Sequence, residues 1–166
     1  MRKAAGVLLM LMVVGLAQFG LAPRLAVLGV KPDFLLLFVV ARALRQGAVA
    51  GAWQGACAGF LEDVFLGQYL GARAFAMAAA GLITGYVRTR VFGDQPLVPV
   101  TAALVASGIC EMVTWSCWRA VGLALPFWAG FWQVMVPVSI YNALLAGVIL
   151  GGIRYGSPQH EVTAVE

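Results

Sequence analysis

Up to about residue 153, apolar runs succeed one another with no polar stretch long enough to fold between them. A helix crossing the hydrocarbon core of a bilayer takes about 20 apolar residues. Six such helices would use about 120 of the 166 residues, leaving about 46 for every loop and both tails. Nothing remains for a folded aqueous domain. Hydrophobic residues make up 62% of the chain and charged ones 11%, whereas a soluble domain is about half apolar and a quarter charged. The pattern predicts an all-α integral membrane protein, a compact bundle of about six transmembrane helices. Residues 1–153 form a single transmembrane domain and 154–166 a cytoplasmic polar tail without periodicity, expected to be disordered.

The spans fall at 4–22, 32–44, 47–65, 70–88, 97–118 and 127–152. The basic start and the apolar run after it are also how a signal peptide begins, but the remainder of the chain is equally apolar, so the run reads as the first span. The second is the weakest. Lys31, Pro32 and Asp33 interrupt the run before it, which predicts a short or broken crossing that starts at Pro32, a residue tolerated in a first helical turn. In the third, Gly47, Gly51, Gly55 and Gly59 recur every four residues, about 400° of helix, and so form a ridge without side chains. Lipid gives helices little hydrophobic reason to associate, and close backbone approach along small residues supplies dispersion contact instead. The third helix is therefore expected to be central and not lipid-facing. It should pack as a tight antiparallel hairpin with the alanine-rich fourth, where Gly81 and Gly85 keep the same spacing. Gly147 and Gly151 give the last helix a small-residue edge.

Basic residues set orientation. With the N-terminus inside, seven of them (Arg2, Lys3, Arg42, Arg45, Arg88, Arg90, Arg154) face the cytoplasm and four (Arg24, Lys31, Arg73, Arg119) face outward, which predicts both termini in the cytoplasm. Trp115, Trp118, Trp128 and Trp132 bracket one outer loop, as an interfacial aromatic belt would. The net charge of +4 is spread singly or in pairs, without the basic stripe of a nucleic-acid surface, so no nucleic-acid partner is expected.

Acids inside a membrane are costly and are candidate functional groups. Glu111 lies about 10 Å along its helix from the Trp118 interface. It could serve as a proton or ion ligand or a partner-docking group, but no second acid stands near it in sequence, and a protonated or paired carboxyl that fixes packing is the favoured reading. Glu62 and Asp63 close the third span. As neighbours on a helix they point about 100° apart, so capping, or pairing with Arg73, is expected rather than acid–base catalysis. Asp33 precedes the second helix. Gln18, Gln54, Gln133 and Asn142 read as interhelical hydrogen-bonding groups. Cys57, Cys110 and Cys117 lie in apolar runs with no nearby histidine, the single one being His160, so neither metal nor cofactor is expected. The sequence has no Walker loop, GxSxG elbow, HExxH or dinucleotide fingerprint, and no enzymatic activity is expected.

One succession of residues is more specific. Lys31-Pro32-Asp33 stands before a Leu/Phe/Val run. A glycine-spaced helix then ends Gly59-Phe60-Leu61-Glu62-Asp63, succeeded by Gly67, Leu70-Gly71, Ala74 and a glycine-containing helix closing on Arg88. This order, over residues 1–95, resembles the rod shape-determining protein MreD family. Asp63 falls where that family tends to carry an acid; Glu62 beside it is a departure. The resemblance implies a non-enzymatic, multi-pass protein of the bacterial inner membrane that serves cell shape, peptidoglycan synthesis and the elongation machinery. Its partners would be the bitopic scaffold MreC, the glycosyltransferase RodA and its penicillin-binding transpeptidase, over MreB filaments. The alternative is a solute-binding protein like the S-components of energy-coupling vitamin transporters, with Glu111, Trp115, Trp118 and Asn142 lining a pocket. Such proteins carry an Ala-xxx-Ala docking face on the first helix, and Ala4, Ala5 and Ala17 do not form one.

Overall fold

A computed structural model describes residues 2–27, 29–67, 71–91, 97–123 and 126–155, with side chains of 2–5, 88–91 and 150–155 outside that description. The helices are α1 (Arg2–Gly20), α2 (Phe34–Gln46), α3 (Ala48–Leu66), α4 (Ala72–Val91), α5 (Val98–Ala120), α6 (Phe127–Gly130) and α7 (Val136–Tyr155). A π turn, Phe131–Met135, joins α6 to α7 in one rod, so the described residues make six rods. The last runs past the expected end at 152. The tail from 156 onward and the surroundings of Gly151 lie outside the described residues. Two stretches, Val98–Ala120 and Phe127–Ile149, are long and apolar enough to cross a bilayer.

The helix expected to be weakest lies at the centre. Leu35, Leu36, Leu37, Phe38, Val39, Val40 and Ala43 of α2 are all buried. Apolar on every side from Phe34 to Ala41, the first part of α2 suits enclosure, and Arg45 and Gln46 emerge at its far end. At 13 residues it is about 20 Å long, short of the roughly 30 Å hydrocarbon thickness. The rest of that path is irregular: a 3-10 turn at Ala22–Leu25, a single bridge between Val27 and Val30, and buried Pro32 and Asp33. Irregular backbone at such a depth is tolerable only where protein satisfies its polar groups. Here Gln18 Nε2 donates to the Pro32 carbonyl (3.2 Å), Phe34 N donates to Gln18 Oε1 (2.7 Å) and Asp33 N donates to Asn142 Oδ1 (2.9 Å). The helix itself starts two residues after Pro32, with Asp33 as its N-cap: its Oδ1 accepts from Leu36 N at 2.8 Å.

The glycine helix corrects one expectation. α3 and α4 do form the close hairpin, and a Cβ on Gly51 would stand 2.5 Å from the Gly81 carbonyl oxygen. Gly59 meets Arg73 and Ala74 backbone, and Gly85 meets Gly47 and Ala48. But α3 is peripheral. Its glycines occupy one narrow face, filled by α4, and on the opposite side Val49, Trp53, Phe60 and Val64 are exposed. Gly47 is not part of the helical ridge: at φ +92° it makes the turn between α2 and α3, a conformation that favours glycine. Gly147 packs α7 on α5, where an added Cβ would meet Val100 Cγ2 at 3.2 Å.

The outer surface is apolar in every direction described. Leu8, Leu9 and Leu16 of α1, Trp53 and Phe60 of α3, Val105 and Met112 of α5, and Leu144 and Val148 of α7 are exposed. Asp33, Glu62, Asp63, Ser107 and Asn142 are buried. Polar groups inside and apolar groups outside is the order expected in lipid.

Candidate functional site: a charged hub joining the helices

Successive rods alternate in direction, so α1 and α3 finish at the end of the bundle where α2 and α4 begin. Asp63, in the last turn of α3, reaches over the connection to the first turn of α4. It accepts from Gly71 N (2.9 Å), Arg73 N (3.2 Å) and Ala74 N (3.1 Å). The first N–H groups of a helix have no partner within it, and a carboxylate there also meets the positive end of the helix dipole. This cap fixes the backbone of Arg73.

The Arg73 guanidinium then spends each of its three nitrogens on a different helix. Nε donates to Glu62 Oε2 of α3 at 3.0 Å, Nη1 to Glu111 Oε1 of α5 at 2.8 Å, and Nη2 to Asp33 Oδ2 at the start of α2. All four side chains are at most 16% exposed. The planar fork of arginine makes this possible, since lysine carries its charge at one point. From Asp33 the chain of contacts continues through its backbone N–H to Asn142, whose Nδ2 donates to Ser107 Oγ of α5 at 3.0 Å. With Gln18 on the same segment, the network touches α1, α2, α3, α4, α5 and α7. It carries three carboxylates around one guanidinium, a formal excess of two negative charges.

Beside the hub lies a cavity of about 470 Å³, bounded by Lys31, Asp33, Glu62, Arg73, Glu111 and Gln133 among others. Among the described residues no cluster of side chains is arranged to hold a metal ion.

Asp33, Glu62, Asp63, Arg73, Glu111 and Asn142, each singled out in the sequence, thus meet in one place. The pairing of Glu62 with Arg73 is present, while Asp63 is a cap. The isolation of Glu111 is corrected: the missing acids come from α2 and α3. Ser107 carries no mark in the sequence, although it stands four residues before Glu111, on the same helical face. The glycines Gly51, Gly55, Gly59, Gly81 and Gly85 lie within the α3–α4 contact, away from the hub's charges except at Gly59.

This geometry sets the expected outcome of two substitutions. Glu111→Gln keeps an oxygen for Arg73 and is expected to cost about 1 kcal/mol, whereas Glu111→Leu should cost about 3 kcal/mol. Unfolding in graded SDS, monitored by circular dichroism, distinguishes them; equal severe losses would mean that the charge itself is required. Asn142→Leu strands the Asp33 N–H and the Ser107 hydroxyl and is expected to cost about 2 kcal/mol in the same titration.

A family model described as rod shape-determining protein MreD matches residues 1–151. The chain belongs to the MreD family. The match reaches well past residue 95, where the recognisable motifs stop, and takes in the whole hub including Glu111 and Asn142. No curated protein and no solved structure matches it. MreD-family proteins are membrane proteins that act in rod shape determination and are not known as enzymes. In this MreD-family chain the charged hub ties its own helices together.

Proposed function

We propose that this chain is a non-enzymatic, multi-pass component of the bacterial cell-elongation complex in the inner membrane. It docks laterally with an MreC-like bitopic scaffold and so supports peptidoglycan synthesis by a RodA-type glycosyltransferase and its penicillin-binding transpeptidase. Both termini lie in the cytoplasm, in keeping with the seven-to-four distribution of basic residues. The observation that carries this reading is the inside-out arrangement. The polar side chains of the hub turn inward on one another, while α1, α3, α5 and α7 present Leu, Val, Phe and Trp outward. What such a surface can offer a partner is helix-to-helix contact in the bilayer plane.

Affinity purification from native membranes in a mild detergent tests it. Recovery of a single-pass scaffold, with loss of rod shape when the chain is depleted, is the expected result. An energy-coupling transporter subunit in its place would favour the solute-binding alternative. Normal rods after depletion would overturn the proposal.

A further inference from the structure

The hub cavity does not end at Glu111. A second cavity of about 220 Å³ lies on the far side, against Thr114, Trp115 and Trp118, and Glu111, Gln133 and Val134 line both. Adjacent across these three residues, they make a groove whose hub end is walled by α1, residues 29–33 and α3 and whose other end lies between α5 and the π turn. That turn is a feature often found at functional sites, and it places Gln133 on the groove wall.

Two polar atoms buried there have no partner: Thr114 Oγ1 and Trp115 Nε1. Thr114 is only 3% exposed. A helical hydroxyl ordinarily falls back on the carbonyl four residues earlier, and in this same helix Thr101 does so with Leu97 and Ser116 with Met112. Thr114 does not. A buried hydroxyl and an indole N–H left unpaired on a cavity wall are unfavourable unless something fills the cavity and accepts from them. At the other end of the groove three carboxylates stand against one guanidinium and the Lys31 ammonium, a formal excess of one negative charge that a bound cation would balance. Between the ends stand the faces of Trp115 and Trp118. A cation already sits over one of them, the Arg119 guanidinium at 5.2 Å from the Trp115 ring centre.

We propose that this groove binds an ethanolamine-type headgroup, a primary ammonium with a phosphate a few atoms away. The ammonium lies against Glu111 and the tryptophan faces. The phosphate oxygens accept from Trp115 Nε1 and the Thr114 hydroxyl, with Arg119 alongside. The inference stands on the groove and is independent of lateral docking.

Native mass spectrometry of the purified full chain tests it, with dioctanoyl phosphatidylethanolamine as probe and dioctanoyl phosphatidylglycerol as the comparison. Retention of the ethanolamine lipid about tenfold better than the glycerol lipid is expected. Thr114→Val and Trp115→Phe should each reduce that preference about fivefold or more. Thr114→Val should leave the lipid-free melting temperature unchanged or higher, because it removes an unpaired hydroxyl. Water-soluble glycerophosphoethanolamine separates the sources: competition by it assigns the site to the headgroup alone, and no competition assigns it to the intact lipid. Equal retention of both lipids, or an unchanged preference in Thr114→Val, would overturn the assignment.

Discussion

Arg73→Leu is expected to abolish accumulation of the folded protein. Removing one partner of a buried ion pair typically costs about 3–5 kcal/mol, because the other charge stays buried without compensation. Here one guanidinium serves three carboxylates on three segments, so the loss sits at or above the top of that range. A domain holds only about 5–15 kcal/mol in total. Arg73→Lys should be intermediate, since a point charge cannot reach Glu62, Glu111 and Asp33 from one position as the planar fork does. The decisive comparison is Arg73→Met combined with Asp33→Asn, Glu62→Gln and Glu111→Gln. Replacing a whole buried ionic set by neutral groups is often close to neutral. The quadruple variant should therefore recover much of the folded yield, measured as monodisperse protein by fluorescence-detected size exclusion. If it folds no better than Arg73→Leu, charge balance is not what the hub provides.

Gly55→Leu is expected to have the next largest effect. A Cβ at Gly55 would overlap the Met77 carbonyl oxygen and come within 2.7 Å of its carbon. These are backbone atoms, which no rotamer change can move aside. The helices would have to part, at a cost of about 3 kcal/mol or more. Separation would also shift the far end of the hairpin, where Asp63 caps α4 and holds Arg73 in place. Gly108→Ala is the control. Its added carbon meets nothing closer than Ser139 Oγ at 4.0 Å, so the ordinary helical preference for alanine should raise stability by about 0.5–1 kcal/mol. Thermal unfolding in detergent should move the two variants in opposite directions. Equal tolerance of both would mean that α3 and α4 are not in backbone contact.

The sequence makes the members of the hub visible but not their meeting. Each of Asp33, Glu62, Arg73, Glu111 and Asn142 is conspicuous because a polar group in lipid is expensive. Periodicity, however, relates residues along one helix. Arg73 meets Asp33 across 40 residues and two connections, and Glu111 across 38 residues and one, and no spacing rule spans such separations. Only the Glu62–Arg73 pair, joined by one short connection, is within reach of such a rule. The four-residue glycine spacing is legible for a related reason: it needs one helix to be noticed and the adjacent one to be satisfied.

Burial is hard to read from this chain because hydropathy loses its meaning in lipid. In water an apolar face marks the core. In a bilayer the solvent is as apolar as leucine, so α2, the poorest span by length, can be the centre, and α3, rich in small residues, can lie outside. The π turn of Phe131–Met135 is bracketed by Gly130 and Pro137; a proline inside a rod marks a disturbed hydrogen-bond ladder, but only the backbone shows that disturbance to be a π turn.

The hub and the docking surface are two sides of one arrangement: polar groups facing one another, and outward helix faces free for other helices. Photo-crosslinking in growing cells tests this most directly, with a photoreactive residue placed singly at Leu9, Trp53, Phe60, Met112, Leu144 and Val148, all of them exposed. The predicted result is a single-pass scaffold captured from one contiguous side of the bundle and from no position on the opposite side. Rod-shaped cells with no protein adduct at any of these positions would contradict it.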